Sequence, residues 1–227
     1  MGDKLWLIIP IKTLSLAKGR LSELLSPEQR QTLAVAMLKD VLAELQASPL
    51  ISRIVLLSKD KQVESIAREH QLGFIREPDN CHNLNEAVAF AVNTATAAKV
   101  QSVIILHGDL PLIQRADMEK LIQQAQAADV VLVADNKEQG TNAMFLRLPS
   151  TMGFAYGEGS LEKHQDIARE AGLSYFVLSL ASFQLDIDNV QDIVELQAHL
   201  ESQSHVAHLF SSVSWQAILA VIHDEKR

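Results

Sequence analysis

Short runs of apolar residues alternate along this chain with segments of helical periodicity, and that rhythm narrows its possible folds more than any other feature. The runs are Leu5-Trp6-Leu7-Ile8-Ile9-Pro10-Ile11, Ile54-Val55-Leu56-Leu57, Val103-Ile104-Ile105-Leu106 and residues 129–134. A strand that is apolar at nearly every position has to be buried on both faces. Helices must therefore cover both sides of its sheet, which makes this an α/β protein.

The segments between the runs carry their own punctuation. Ser26-Pro27-Glu28-Gln29 reads as a helix start, with a serine cap, a proline in the first turn and a glutamine three residues on. Leu33, Val35, Ala36, Met37, Val41, Leu42 and Leu45 then give that helix a broad apolar stripe. A helix is expected over roughly 60–70, broken by Gly73 before a short strand at Phe74-Ile75. Asn83-Leu84-Asn85-Glu86 opens another helix, to about Ala98, and a helix and strand recur at about 115–127 and 129–134. From residue 135 the rhythm changes. A Gly-containing loop leads to a strand around 143–148, and Gly-rich residues 156–160 precede a helix. A strand near 175–178 and a helix to about Leu200 close the pattern. With no internal repeat and no low-complexity linker, residues 1–200 read as one domain. Residues 201–227 read as a C-terminal appendage, docked on that domain by the apolar stretch 213–222.

Composition sets limits on partners. The 227 residues are 48% hydrophobic, enough to fill a single core. The 28 acidic and 20 basic side chains leave a formal charge of −8, which argues against nucleic acid and anionic membranes as partners. A few local lysines can still bind an anionic substrate. The single cysteine, Cys81, leaves no intramolecular disulfide and no Cys-rich zinc site, so the expected location is cytoplasmic. The first apolar run, at seven residues, is too short to span a bilayer.

Three groups of residues can carry chemistry. The first is acidic. Asp109 follows directly on a buried strand, at the edge where open α/β sheets bind ligands. Asp186 and Asp188 flank Ile187, so in an extended segment both carboxylates face one way. Three carboxylates on one crevice form a hard oxygen site suited to Mg²⁺, whereas each alone would serve equally as a cap of a helix or turn. The second group is cationic: Lys12, Lys18 and Arg20 follow the first strand and can neutralise a triphosphate, or form a solvated basic loop. The third is a pair of small-residue loops, Gly140-Thr141-Asn142-Ala143 and Gly157-Glu158-Gly159-Ser160. They offer backbone N–H groups and hydroxyls without bulk, and Ser160 is placed to cap the next helix and join an anion cradle.

Other chemistries are poorly supported. There is no P-loop, no Gly-x-Ser-x-Gly elbow and no Gly-x-Gly-x-x-Gly fingerprint. The eight histidines lack metal-ligand spacing. His164 reads as a surface or substrate-lining residue, and His107 as a strand-end histidine with its hydrogen bonds satisfied.

Taken in order, these pieces resemble a known family. Ile9-Pro10-Ile11-Lys12, Ala17-Lys18-Gly19-Arg20-Leu21, Leu84-Asn85, Asp109-Leu110-Pro111-Leu112, Gly140-Thr141-Asn142-Ala143, Gly157-Glu158-Gly159-Ser160 and Leu185-Asp186-Ile187-Asp188 match the 2-phospho-L-lactate guanylyltransferase family. That family includes phosphoenolpyruvate and 3-phospho-D-glycerate guanylyltransferases of coenzyme F-420 biosynthesis. The match runs from about residue 5 to residue 200. Gly108 departs mildly from it, standing where alanine or another small residue is expected.

The resemblance implies a nucleotide-diphospho-sugar-transferase-like (Rossmann-like) three-layer fold with a mixed, mostly parallel central sheet. It further implies that Asp109, Asp186 and Asp188 hold two Mg²⁺ ions on GTP, and that Lys12 and Lys18 contact its phosphates and serve catalysis with Asp109. Arg20 and Asn85 would complete the nucleotide site, and Thr141, Gly157 and Ser160 would hold the phosphorylated acid. A homodimer is compatible with this reading. The alternatives are a nucleotidyltransferase for a sugar phosphate or pterin cofactor precursor, whose first loop would carry more glycine, and a non-catalytic GTP-binding regulator.

Overall fold

The computed structural model describes residues 4–224. Seven strands form one sheet in the order β3-β2-β1-β4-β6-β5-β7. They are β1 (Leu5–Pro10), β2 (Arg53–Ser58), β3 (Gly73–Arg76), β4 (Ser102–Leu106), β5 (Val130–Ala134), β6 (Thr141–Arg147) and β7 (Tyr175–Leu178). Only β6 runs against its neighbours, pairing antiparallel with both β4 and β5, so the sheet is mixed and mostly parallel. Just six residues, 135–140, join β5 to β6. A link that short returns the chain antiparallel beside its parent strand, whereas a parallel partner needs a longer crossover.

Strand alternation assigns the two faces. Leu5, Leu7, Ile9, Ile54, Leu56, Ile104 and Leu106 pack beneath α1 (Pro27–Leu45), α2 (Lys61–Glu69) and α4 (Arg115–Gln124). Ile8, Val103, Ile105, Leu132 and Met144 pack on the other side, against α3 (Leu84–Ala97) and α5 (Ser160–Glu170). At roughly 25 cal/mol per Å² of apolar surface buried, each fully enclosed Leu or Ile contributes about 1.5–3 kcal/mol. The α1 start is a capping box: Ser26 Oγ accepts from Gln29 N, and Gln29 Oε1 accepts from Ser26 N.

A third cluster binds the C-terminal segment. The outer face of α1 (Leu33, Ala36, Met37) meets Leu185 and Ile187, then α6 (Val190–His199), α7 (His205–Phe210) and α8 (Val213–Asp224), through Ile193, Leu196, Val206, Phe210, Trp215 and Leu219. The Asp40 carboxylate, buried on α1, accepts from His205 N at 2.5 Å and Val206 N at 3.1 Å at the start of α7. An anion there satisfies N–H groups that no earlier turn can reach. Among the described residues, no helix is long and apolar enough to cross a membrane.

Candidate active site

The carboxyl ends of β1 and β4 and the loops beyond them open onto a cleft of about 990 Å³. That is the upper end of the usual small-molecule range and gives room for a nucleotide and a second small ligand. Lys12, Lys18, Arg20, Asp109, Asp186, Asp188, Thr141, Gly157 and Ser160 all border it.

One side of the cleft is built on charge. The loop after β1 is pinned by buried Leu14 and Leu21, by Leu14 N donating to Asp60 Oδ2, and by Arg30 Nε donating to Ala17 O. Lys18 adopts a left-handed backbone (φ 52°), which turns its side chain inward. Its ammonium, with the side chain 7% exposed, donates to Asp109 Oδ2 and to Asp188 Oδ1, the latter at 3.2 Å. Arg20, exposed at the rim, donates to Asp188 Oδ2 at 3.1 Å. Lys12 borders the same cleft, exposed and outside any ion pair among the described residues.

These contacts set the protonation states. Burial works against charge on Lys18, but Asp109 and Asp188 outweigh it and raise its pKa. Burial likewise works to raise Asp109, and the Lys18 ammonium, helped by His107, holds it below the usual carboxylate range. Asp186 is pushed up, first by burial and then by the negative charges of Asp109 and Asp188.

Residues 185–188 form no regular strand, yet the alternation survives: Ile187 is fully buried and Asp186 and Asp188 border the cleft. Ile187 N donates to Asp109 O at 3.4 Å, which ties the two acidic segments together. Asp192 accepts from Asp188 N and Asn189 N as part of the capping box that starts α6, so a helix cap fixes the Asp188 backbone.

The residues present suit a hard divalent cation. Asp109 Oδ1 is buried without a hydrogen-bond partner, and a cation would satisfy it. Among the described residues, no three carboxylates or histidines close into a ready-made metal cage. Mg²⁺ seldom uses an all-protein cage, and binds through one or two carboxylates together with substrate phosphates.

The opposite side presents backbone N–H groups and hydroxyls at Thr141, Gly157 and Ser160, with the charged Asp135, Lys137 and Glu158 on the same lining. Thr141 and Asn142 were expected in a loop but begin β6, since Ala134 of β5 pairs with Thr141 and His107 N donates to Asn142 O at 3.2 Å. Asn142 Nδ2 donates to Phe183 O, and Thr141 N donates to Ser160 Oγ at 3.0 Å. Ser160 is not the helix cap the sequence suggested. Gly159 takes that position with φ 65°, and Ser160 is the first helical residue, its hydroxyl turned to β6. Gly157 sits at φ 126°, a conformation glycine alone adopts without strain. Asn85 spends its amide on the same loop, accepting from Tyr156 N at 2.7 Å and donating to Tyr156 O at 3.4 Å.

Both histidine expectations need correcting. His164 is fully buried and borders neither solvent nor the cleft: its ring lies between Thr141 Oγ1 and Ala155 N, both at 2.9 Å. Helical periodicity placed it on a polar stretch, and only the fold brings β6 beside it. His107 is not satisfied either. Its Nε2 is buried without a partner, its ring 5.5 Å from that of Tyr156, whose hydroxyl is also unpartnered. Gly108 is explained by its neighbours: a Cβ there would stand 2.6 Å from Ile11 Cδ1 and 3.2 Å from Ile9 Cγ2.

The family model described as "Guanylyl transferase CofC like" matches residues 5–215. The chain belongs to that family. Among relatives of the CofC-like chain, the phosphoenolpyruvate guanylyltransferase of Chloroflexus aggregans is 36% identical over 185 residues, covering 80% of this chain and 91% of the relative. The 2-phospho-L-lactate guanylyltransferase of Methanothermobacter thermautotrophicus is 37% identical over 195 residues, covering 86% and 84%. A solved structure from Desulfovibrio desulfuricans G20, assigned to the nucleotide-diphospho-sugar transferases, superposes with a TM-score of 0.74 over 98% of both chains at 16% identity. The fold is that of the nucleotide-diphospho-sugar transferases, and the CofC-like chain is a nucleotidyltransferase of the guanylyl-transferring kind.

Proposed function

We propose that the protein transfers GMP from GTP to a small phosphorylated carboxylic acid, namely 2-phospho-L-lactate, phosphoenolpyruvate or 3-phospho-D-glycerate. The step belongs to deazaflavin coenzyme F-420 biosynthesis, as in the family it resembles. One observation carries the reading: a single cleft joins the Lys18, Asp109 and Asp188 cluster to the donor-rich Thr141, Gly157 and Ser160 side. A polyanion with its cation fits the first, and a small anionic acceptor fits the second.

In the reaction, an oxygen of the acceptor's phosphate attacks the α-phosphorus of GTP. A new oxygen–phosphorus bond forms as the bond to the bridging oxygen of the β-phosphate breaks, and pyrophosphate leaves with that electron pair. No covalent protein intermediate is needed, because the attacking phosphate is already ionised near neutral pH. The chain's task is alignment and charge neutralisation. Lys12, Lys18 and Arg20 neutralise phosphate oxygens, Thr141, Gly157 and Ser160 hold the acid, and Asn85 fixes the loop carrying Gly157. Asp109, Asp186 and Asp188 would hold Mg²⁺, two ions in this reading. When bound, Mg²⁺ supplies Lewis acidity to the α-phosphate and to the departing pyrophosphate.

The test is pyrophosphate release from GTP and Mg²⁺ with each acid supplied separately, and product identification by mass. Release with one acid establishes the reaction and its acceptor. GTP binding without release under any of the three acids, or with other triphosphates, would overturn the acceptor assignment.

A further inference from the structure

His164 is fully buried in α5, 23 positions from Thr141 in sequence, and it meets the lining of the cleft through Thr141, by a hydrogen bond, and through the ring of Tyr156. Its two ring nitrogens have unlike neighbours. Ala155 N–H donates to Nε2 at 2.9 Å, so Nε2 carries a lone pair and no proton. The ring proton is then on Nδ1, and Nδ1–H donates to Thr141 Oγ1 at 2.9 Å. Tyr156 packs edge-on against the ring at 4.8 Å and holds its plane.

The consequence falls on the hydroxyls. Thr141 Oγ1 already accepts from His164, so its own hydrogen must point elsewhere. Among the described residues it has no acceptor. Ser160 Oγ repeats the pattern, accepting from Thr141 N with no second partner among the described residues for its hydrogen. Thr141 and Ser160 both border the cleft, though only 1% and 3% exposed, so two nearby O–H groups are left as donors, which is what an anionic acceptor requires. With the opposite tautomer, Thr141 would have to donate to Nδ1. Its lone pairs would then face the anion and repel it.

We infer that His164 is a positioning residue which, through its Nδ1–H bond, commits the Thr141 hydroxyl to donate to the anionic acceptor. The inference rests on the assignment of Thr141 and Ser160 to the acceptor subsite. It adds a selection rule: this subsite favours ligands that accept two hydrogen bonds at adjacent points, such as a carboxylate or phosphate edge, over neutral hydroxyl compounds of the same size.

Two measurements test it. Long-range ¹H–¹⁵N correlation on the labelled full-length protein reads the His164 tautomer directly, and the Nδ1–H form is expected at neutral pH. Observation of the Nε2–H form would overturn the inference, whatever the kinetics. The second measurement is steady-state kinetics with phosphoenolpyruvate, or with 2-phospho-L-lactate where that is the acid turned over. His164→Leu should raise the acceptor KM by roughly tenfold or more, the scale of a lost hydrogen bond to a charged group, and leave the KM for GTP unchanged. His164→Asn, which restores an N–H donor near the Nδ1 position, should recover most of that loss.

Thr141→Val should raise the acceptor KM similarly, and adding His164→Leu to it should do little more. Additive effects would assign His164 a merely structural part and overturn the inference. If Thr141→Val leaves the acceptor KM unchanged, the acceptor subsite itself is misplaced and the inference falls with it. If Thr141→Val acts as expected but His164→Leu does not, only the inference falls. Should His164→Leu fail to fold, the wild-type tautomer and the Asn variant still decide.

Discussion

The Lys18 ammonium lies 3.2 Å from Asp188 and is shared with Asp109, so one cation joins residues 18, 109 and 188 at the floor of the cleft. Asp109 has one oxygen on Lys18 and the other buried without a partner, and in the proposed reaction that free oxygen is the one that would ligate a cation on the triphosphate. Asp109→Asn keeps the shape and removes the charge. About 3–4 kcal/mol of transition-state stabilisation should go with it, a loss of roughly two to three orders of magnitude in kcat. Pyrophosphate release at saturating Mg²⁺ measures this, and circular dichroism should show the fold retained. Near-normal turnover would remove Asp109 from the metal site.

Lys18 is nearly buried and is the only cation bonded to Asp109 among the described residues. Lys18→Met would leave Asp109, Asp186 and Asp188 facing one another without it. Breaking a buried pair from one side typically costs about 3–5 kcal/mol; with the Asp109 side chain 27% exposed the loss should fall below that range, and the variant should still melt at a lower temperature in EDTA. Added Mg²⁺ should recover part of that loss, and should raise the melting temperature of Lys18→Met by more than that of the wild type. An equal Mg²⁺ shift in both proteins would show that the carboxylates and the ammonium do not share one electrostatic site.

Much of this was readable in the sequence where a signal is local. β1, β2, β4 and β5 are apolar at nearly every position, so burial on both faces follows without knowledge of the neighbours. Ser26 and Asn83 announce their helices because a cap bonds only two or three residues ahead. Asp109 is legible because the strand before it is unmistakable. What escaped depends on distant partners. The hydroxyl of Ser160 is taken by Thr141 N, 19 residues away, so the capping rule failed and Gly159 took the turn. The burial of His164 is decided by β6, and nothing in its own helix marks it. The strand character of Thr141 and Asn142 likewise comes from β5 and from His107 just past β4, since both residues look like a loop until the sheet is assembled.

The two glycines of the 157–160 turn should respond differently to alanine. A Cβ meets nothing within 4 Å at either, so only the backbone decides. Gly159 at φ 65° lies in the left-handed region, where a non-glycine residue costs about 1–2 kcal/mol. Gly157 at φ 126° lies where other residues scarcely go, at a cost nearer 3 kcal/mol or a rearranged loop. Gly157→Ala should therefore raise the acceptor KM well above that of Gly159→Ala, and Gly159→Asn should be the mildest of the three. Steady-state titration of the acceptor orders them, and a reversed order would place the acceptor away from this turn.

Acid should weaken the protein through His164. Burial, with a smaller contribution from the charge of His107, lowers its pKa from 6.5 to about 4. Between those values the unfolded chain binds a proton that the folded chain does not, so stability rises with pH across that window. The contribution is complete above about pH 6.5 and is lost as pH falls towards 4, for a total of roughly 3 kcal/mol at 1.36 kcal/mol per pH unit. Urea midpoints measured at several pH values from 4 to 7 should show this slope in the wild type. His164→Asn has no ring to protonate, so it should start less stable at neutral pH and lose visibly less on acidification. If the two proteins lose stability in parallel below pH 6.5, another group carries the acid sensitivity, and the His164 ring is not held neutral by its burial.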